Sequence, residues 1–545
     1  MNTIKHIIFS SLVILLFLSS AGCSFLDQEI YDTSSSWRTQ KDITDAINGM
    51  YTFTREEGVT GRGLYWFENC SDNMVTGRPN SSADEIRNFK MTPSNGADAQ
   101  DTYAEMYKVI ARANSVLINS SKVPNVDTEF LNEAYGEAYF MRAFAYLWIV
   151  PFYADDGENG GLPNILDTTP AEGQDLPRAE SILDNYDQII ADMEKAAELL
   201  PDYSTIYNER AIRGGRPHKT AAWAYAARAA LYASQYRDKG TQDKYRDMVI
   251  KFCDNVINMS GANKRDLFDD GSANPFKNLW TEKNNFSSEY IFGLLGNSNA
   301  GPKFHGMGFQ NGGWGSYNHW GYYQPTYELL MAYETGDKRR EATIILPGEK
   351  MMYVGDEIHF GVNPKDISST TKMSFRKFLS PWEPWDCSGK TVSSNGNDAS
   401  NNLTTCLIRY ADVLLMKAEA LIWKNGEGDA EAKRLLNLIR KRARLPENSQ
   451  ATIAQLKNER RCELASEFQP SRHLDLVRWG DAQSTYAQPA YGVDYTINAD
   501  NTVTVRKSAI PAWDARSFNP QINHVFPIPE KAVSSSLTLK QNKGY

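Results

Sequence analysis

Between residues 101 and 235 apolar side chains recur every three or four positions, the spacing that gathers them on one face of an α-helix. Tyr103, Met106, Tyr107, Ile110, Ala113 and Leu117 share one such face, and Leu131, Ala134, Ala138, Met141, Ala145 and Trp148 share a second. Pro151 is expected to end the second helix, because proline lacks an amide hydrogen and crowds the preceding turn. A third face, from Ile182 through Tyr186, Ile189, Met193 and Ala196 to Leu200, stops at Pro201. A fourth helix follows Gly214-Gly215-Arg216-Pro217 over residues 220–236. The pattern continues over 245–257 and returns over 413–423, 430–442 and 453–465.

The expected fold is mainly α. In the fourth helix small residues alternate with rings (Ala221-Ala222-Trp223-Ala224-Tyr225), which lets helices approach closely while aromatics fill the gaps. That is the tetratricopeptide style of helix pairing, here in an irregular register. Residues 261–401 break the rhythm and are rich in Gly, Asn, Ser and Trp. Within 305–323, six glycines accompany six rings: Phe309, Trp314, Tyr317, Trp320, Tyr322 and Tyr323. Glycine at that density weakens helix and strand alike, so a long loop is expected, and long loops are disproportionately functional. A second aromatic loop holds Trp382 and Trp385, and a third irregular stretch, 58–95, holds Trp66, Asp72, Asn73 and Arg78. Residues 481–545 read as turn-rich and short of helix.

The N-terminus sets the compartment. After Lys5 an apolar run from Ile7 to Leu18, broken only by Ser10 and Ser11, leads to Ser19-Ser20-Ala21-Gly22-Cys23. Such a run rises about 18 Å as helix, short of the ~30 Å of hydrocarbon a spanning helix crosses. Residues 1–22 therefore read as a secretory leader. The Ala-Gly-Cys exit resembles a bacterial lipobox, with Ser20 where leucine is usual. That resemblance implies cleavage before Cys23 and acylation of its sulfur and amino group, and two or three acyl chains suffice for stable anchoring.

Charge and cysteine content narrow the chemistry. A net charge of -9 argues against a general nucleic-acid binder. Cys70, Cys253, Cys387, Cys406 and Cys462 have no metal-site spacing. Cys253 and Cys462 fall in helical patterns and read as small buried groups, while a Cys387–Cys406 bridge stays open. No HExxH, GxSxG or GxGxxG occurs, and Ser388-Gly389-Lys390-Thr391 has Pro384 where a phosphate loop needs glycine. Glu459, Glu463 and Glu467 stack beside Arg460 and Arg461, and ion pairing is the preferred reading over acid–base or metal chemistry. No catalytic residue, metal site or cofactor is expected.

Several stretches resemble the RagB/SusD family of outer-membrane lipoproteins. They are Cys23-Ser24-Phe25-Leu26-Asp27, Asp45-Ala46-Ile47-Asn48-Gly49-Met50-Tyr51, Glu137-Ala138-Tyr139-Phe140-Met141-Arg142-Ala143-Phe144 and Gly215-Arg216-Pro217-His218-Lys219. Arg409-Tyr410-Ala411-Asp412-Val413-Leu414-Leu415-Met416-Lys417-Ala418-Glu419-Ala420 is the most distinctive. Leu436-Asn437-Leu438-Ile439-Arg440, Asp475-Leu476-Val477-Arg478-Trp479, Phe526-Pro527-Ile528-Pro529 and Gln541-Asn542-Lys543-Gly544-Tyr545 complete the series. Arg409/Asp412 and Asp475/Arg478 read as structural ion pairs or helix-end contacts. The resemblance implies a leader (1–22), an N-terminal helical region (23–260) and a C-terminal region (261–545) with a loop-rich insert at 261–401 and returning helices at 409–480. It also implies a helical scaffold carrying an irregular ligand-binding subdomain, without catalysis. Such a protein faces the cell exterior, captures oligosaccharide or polysaccharide and passes it to a SusC-like TonB-dependent transporter. A peptide-binding importer component, a surface hydrolase, and an adhesive or structural surface lipoprotein stay open as other readings.

A sugar ring offers an apolar C–H face and a rim of hydroxyls, which call for aromatic faces and for amide, carboxylate or guanidinium groups. Trp314, Trp320, Tyr322 and Tyr323, with Asn311 and Gln310 nearby, are the first candidates. In family members an early loop pairs with a mid-chain aromatic loop, which adds Trp66, Asp72 and Arg78. Trp382 and Trp385 come third.

Overall fold

The computed structural model describes residues 37–56, 58–60, 65–78, 80–156, 160–167, 177–295, 309, 311–318, 320–353, 356–363, 367, 369–379, 403–467 and 472–545. Residues 1–22, expected as a leader, and Cys23, Gln310, Trp382, Trp385 and Cys387 lie outside the described residues.

Helices begin where a side chain can accept the first unpaired amides. Asp127 caps the helix Thr128–Tyr153 by accepting from Glu129 and Phe130 N–H. Ser181 and Asp184 form a reciprocal capping box at Ile182–Leu199, as Thr452 and Gln455 do at Ile453–Leu464. Each such cap stabilises by about 1 kcal/mol. Pro151 does not end its helix, which continues to Tyr153. Proline costs the helix the bond that the Leu147 carbonyl would accept, and the helix runs on because Phe152 and Tyr153 beyond it are buried in the core.

These helices pack in chain order. Ala97–Asn119 lies against Thr128–Tyr153, that helix against Ile182–Leu199, and both Ile182–Leu199 and Lys239–Ile257 against Lys219–Ala233. The returning helices Tyr410–Asn425, Ala430–Arg442 and Ile453–Leu464 extend the stack through contacts of Tyr410–Asn425 with Lys239–Ile257. Mainly α is the observed class.

One hydrophobic core crosses residue 260. The strand Tyr290–Leu294 pairs antiparallel with Thr405–Arg409 and carries Phe292 into the helical layer. There Phe292 meets Phe140, Phe144 and Tyr225 edge-on, at centroid distances of 5.0, 5.9 and 6.0 Å. The C-terminus also closes on the helices. Asn542 Nδ2 donates to the Tyr153 and Phe526 carbonyls, and its Oδ1 accepts from Arg178 Nη1 at 2.8 Å. Residues 481–545 hold short helices and the hairpin Val493–Ile497/Val503–Lys507, which periodicity alone does not reveal.

Between the returning helices runs a buried charge network. Arg409 binds Glu289, Glu463 and Glu467, while Asp412 binds Arg228 and Arg460 at 2.8 and 2.7 Å. Arg409 and Asp412 are therefore both ion-paired, but to other partners than each other. Asp475 does pair with Arg478, at 2.8 Å, and also with Arg460. Glu459, Glu463 and Glu467 are all engaged by arginine or lysine, including Arg339, Arg440 and Lys377. Cys253 and Cys462 are buried in the core.

Candidate ligand-binding face

An early segment and a mid-chain aromatic segment meet as strands. Met74–Thr76 pairs antiparallel with Tyr323–Pro325, with Thr76 opposite Tyr323. The pairing extends one residue further, as Gly77 N–H donates to the Tyr322 carbonyl at 2.7 Å. Beneath it Gln324 is buried: its amide donates to the Gly321 carbonyl and its oxygen accepts from Thr371 N–H at 3.0 Å. Gly321 sits at φ +56°, a conformation glycine adopts without steric cost. A Cβ on Gly77 would lie 1.9 Å from Gln324 Nε2, so the close approach depends on glycine there.

Asp72 fixes the early segment from behind. Its carboxylate takes Arg461 Nη2 at 2.8 Å and Arg472 Nε at 3.0 Å, and its carbonyl accepts from Thr326 Oγ1 at 2.7 Å. Burial opposes ionisation of Asp72, but the two guanidinium groups outweigh it and hold the carboxyl well below the usual carboxylate range. Its polar capacity is directed at the scaffold rather than at solvent.

The candidate rings then separate into two groups. Trp314 is fully buried, with Nε1 donating to Ser374 Oγ at 3.0 Å and its ring edge-on to Tyr353 at 5.1 Å. An outward-facing ring at that position is corrected to an enclosed one. The physical reason is that the indole finds both apolar neighbours and a partner for its single donor. Tyr323 is likewise enclosed, packed on Tyr65 and Phe309, and Trp66 is only 5% exposed within the same core. Asn311 is buried as a helix cap, accepting from Gly313 N–H and donating to the Met373 carbonyl. These four do not present a surface to solvent.

Trp320 and Tyr322 do. Both are half-buried, packed on the core by one side and set edge-on to each other at 5.6 Å and 84°. The exposed Arg78, from the early segment, lies with its guanidinium carbon 5.8 Å from the Tyr322 ring centre. Two rings at right angles beside a forked donor can cover an apolar ring face and reach its polar rim. Tyr317, which composition alone did not single out as a site residue, is half-buried nearby in sequence and donates its hydroxyl to Asp356 at 2.7 Å. Among the described residues no group of three or more His, Cys, Asp or Glu is placed to hold a metal ion.

A mainly helical scaffold carries this small aromatic face where two paired strand segments meet. The chain belongs to the SusD family: the family model of that description matches residues 267–545, and one described as starch-binding associating with outer membrane matches residues 24–231. It is 26% identical over 508 residues to SusD-like protein P2 of Formosa agariphila, covering 85% of this chain and 89% of the relative. A solved SusD-like protein from Bacteroides fragilis superposes with a TM-score of 0.75 at 23% identity, covering 96% of this chain and all of the other. Surface glycan-binding protein A from Bacteroides thetaiotaomicron, solved in complex with laminarihexaose, superposes with a TM-score of 0.68 at 19% identity, covering 92% and 99% of the two chains.

Proposed function

We propose that this protein is a non-enzymatic capture module that binds oligosaccharide or polysaccharide at the exterior of an outer membrane. Acyl chains on Cys23 tether it, and a SusC-like TonB-dependent transporter takes up what it holds. The observation that carries the reading is the half-exposed Trp320–Tyr322 corner with Arg78 alongside. Family membership and a fold shared with a laminarihexaose-bound protein support carbohydrate as the ligand class. Trp320 and Tyr322 stack on the sugar, and Arg78 donates to its hydroxyls. Trp314, Tyr323, Trp66, Asn311 and Asp72 act as positioning residues that hold the two segments in place. The non-catalytic reading is supported by Glu459, Glu463 and Glu467, which are committed to cationic partners.

A soluble Cys23→Ala form, run through gels containing laminarin or starch, tests this. Retardation by at least one polysaccharide is expected, and Trp320→Ala with Tyr322→Ala should weaken it about tenfold, the equivalent of about 1.4 kcal/mol. Unchanged retardation of the double variant sinks the site. Saturable binding of a peptide panel with no polysaccharide retained transfers the function to peptide capture, and release of reducing ends from the gel polysaccharide points to hydrolysis.

A further inference from the structure

A second polar groove opens on elements that share no residue with the Trp320 face. It is an open depression of about 620 Å³ between the helix Tyr203–Asn208, residues 264–269 and residues 283–288, a volume within the range of about 300–1,000 Å³ of small-molecule sites. Its lining carries Lys264 and Lys283 against Asp266 and Asp269, with Lys264 paired to Asp266 at 2.8 Å and Asp269 to Arg444, outside the lining, at 2.9 Å. A lining with no net formal charge is compatible with a neutral ligand.

Phe286 forms a half-buried aromatic wall. It is held at φ +61°, an unusual conformation for a bulky residue and one that concentrates at ligand clamps. Gly214 makes room for it, since a Cβ there would lie 2.7 Å from Phe286 Cζ. Behind residues 284–287 the groove adjoins a slit of about 20 Å³ that Trp280, Ser287 and Thr404 help to line. Trp280 Nε1, Ser287 Oγ and Thr404 Oγ1 are all buried without a hydrogen-bond partner among the described residues, and Trp280 and Thr404 are only 4% and 5% exposed. Buried polar groups are normally satisfied, so three such groups lining one slit suit an occupant with a hydroxyl oxygen. At about 20 Å³ the slit has room for one such oxygen.

We propose that this groove is a second saccharide-binding site, with Phe286 against the apolar ring face and the Trp280–Ser287–Thr404 slit receiving a hydroxyl. It is independent of the Trp320 face and stands without it. The soluble Cys23→Ala form labelled with 5-fluorotryptophan reports both places by fluorine NMR, the Trp280 and Trp320 lines being assigned with Trp280→Phe and Trp320→Phe. Glucose, laminarihexaose and maltohexaose are titrated separately. The Trp280 line is expected to shift saturably with at least one of them, and to do so at the same concentration in Trp320→Ala/Tyr322→Ala. Phe286→Gly, which relieves the positive φ while removing the ring, and Thr404→Val, which removes a slit hydroxyl, should each weaken that response at least fivefold. A Trp280 line that stays put with all three sugars, or that moves unchanged in both variants, overturns the second site. Movement of the Trp280 line with a stationary Trp320 line instead defeats the first face and leaves the second standing.

Discussion

His218 caps the helix Lys219–Ala233 with its own ring. Nδ1 accepts the Ala221 amide, so the proton resides on Nε2, which donates to the Ile291 carbonyl at 2.6 Å. Burial pushes its imidazole down to about 3, and burial does the same to His473, beneath the Tyr486 hydroxyl. The unfolded chain takes up those protons below about pH 6.5 while the folded chain refuses them. Their contribution is therefore complete above about pH 6.5 and is lost as pH falls toward about 3, on the order of a few kcal/mol. Urea midpoints measured from about pH 7.5 to 4.5 should fall for the parent and fall less steeply for His218→Asn, which keeps a capping oxygen. Gly77→Ala tests the ligand face at the same scale. Its new methyl meets Gln324 and the Gly321 carbonyl, so a loss of about 1–3 kcal/mol in stability and weaker polysaccharide retardation are expected. Trp314 and Trp320 show what a residue's identity conceals. Both stand in the same glycine-rich stretch, yet Tyr353 and Ser374 draw one inward while the other stays at the surface. Neither partner is near in sequence, so the richness in rings was legible and the fate of each ring was not.

At the scale of elements, the helix Ile453–Leu464 is a carrier of buried charge. Glu463 receives Arg409, Arg442 and Arg339; burial opposes its ionisation, but these cations outweigh it and hold the carboxyl well below the usual range. Glu463→Gln keeps the shape and strips the charge, leaving three guanidinium groups undercompensated. A loss of about 3–5 kcal/mol is expected by chemical denaturation, with polysaccharide retardation retained in whatever fraction stays folded. Periodicity placed this helix and Ala430–Arg442 nearly to the residue, because caps and apolar spacing are local properties. The pairing of Arg409 with Glu463 rather than Asp412 was not legible, since the partner arrives from more than fifty positions away. Pro151 misled for the converse reason: a local breaker was overridden where the surrounding helices bury the final turn.

Across the whole molecule, the core joins residues on both sides of position 260, with Phe292 lodged among Phe140, Phe144 and Tyr225. Heat or urea should therefore unfold the chain in one transition, with tryptophan fluorescence and far-ultraviolet dichroism coinciding. Two separated transitions would mean that the halves are independent. Asn542→Ala should lower the midpoint of that transition by the equivalent of about 2 kcal/mol, since it abandons Arg178 and two buried carbonyls. Chain-wide motifs made the architecture readable in advance, but nothing in Gln541-Asn542-Lys543-Gly544-Tyr545 announces that its asparagine bridges back to the middle of the chain.

That bridge has a consequence for biosynthesis. A growing chain that has not yet reached residue 542 leaves the Tyr153 carbonyl and Arg178 Nη1 without this side chain. Arg178 and the Tyr153 carbonyl thus wait for a partner 364 and 389 positions further along, so this closure belongs to the late steps of folding rather than to the early pairing of neighbouring helices.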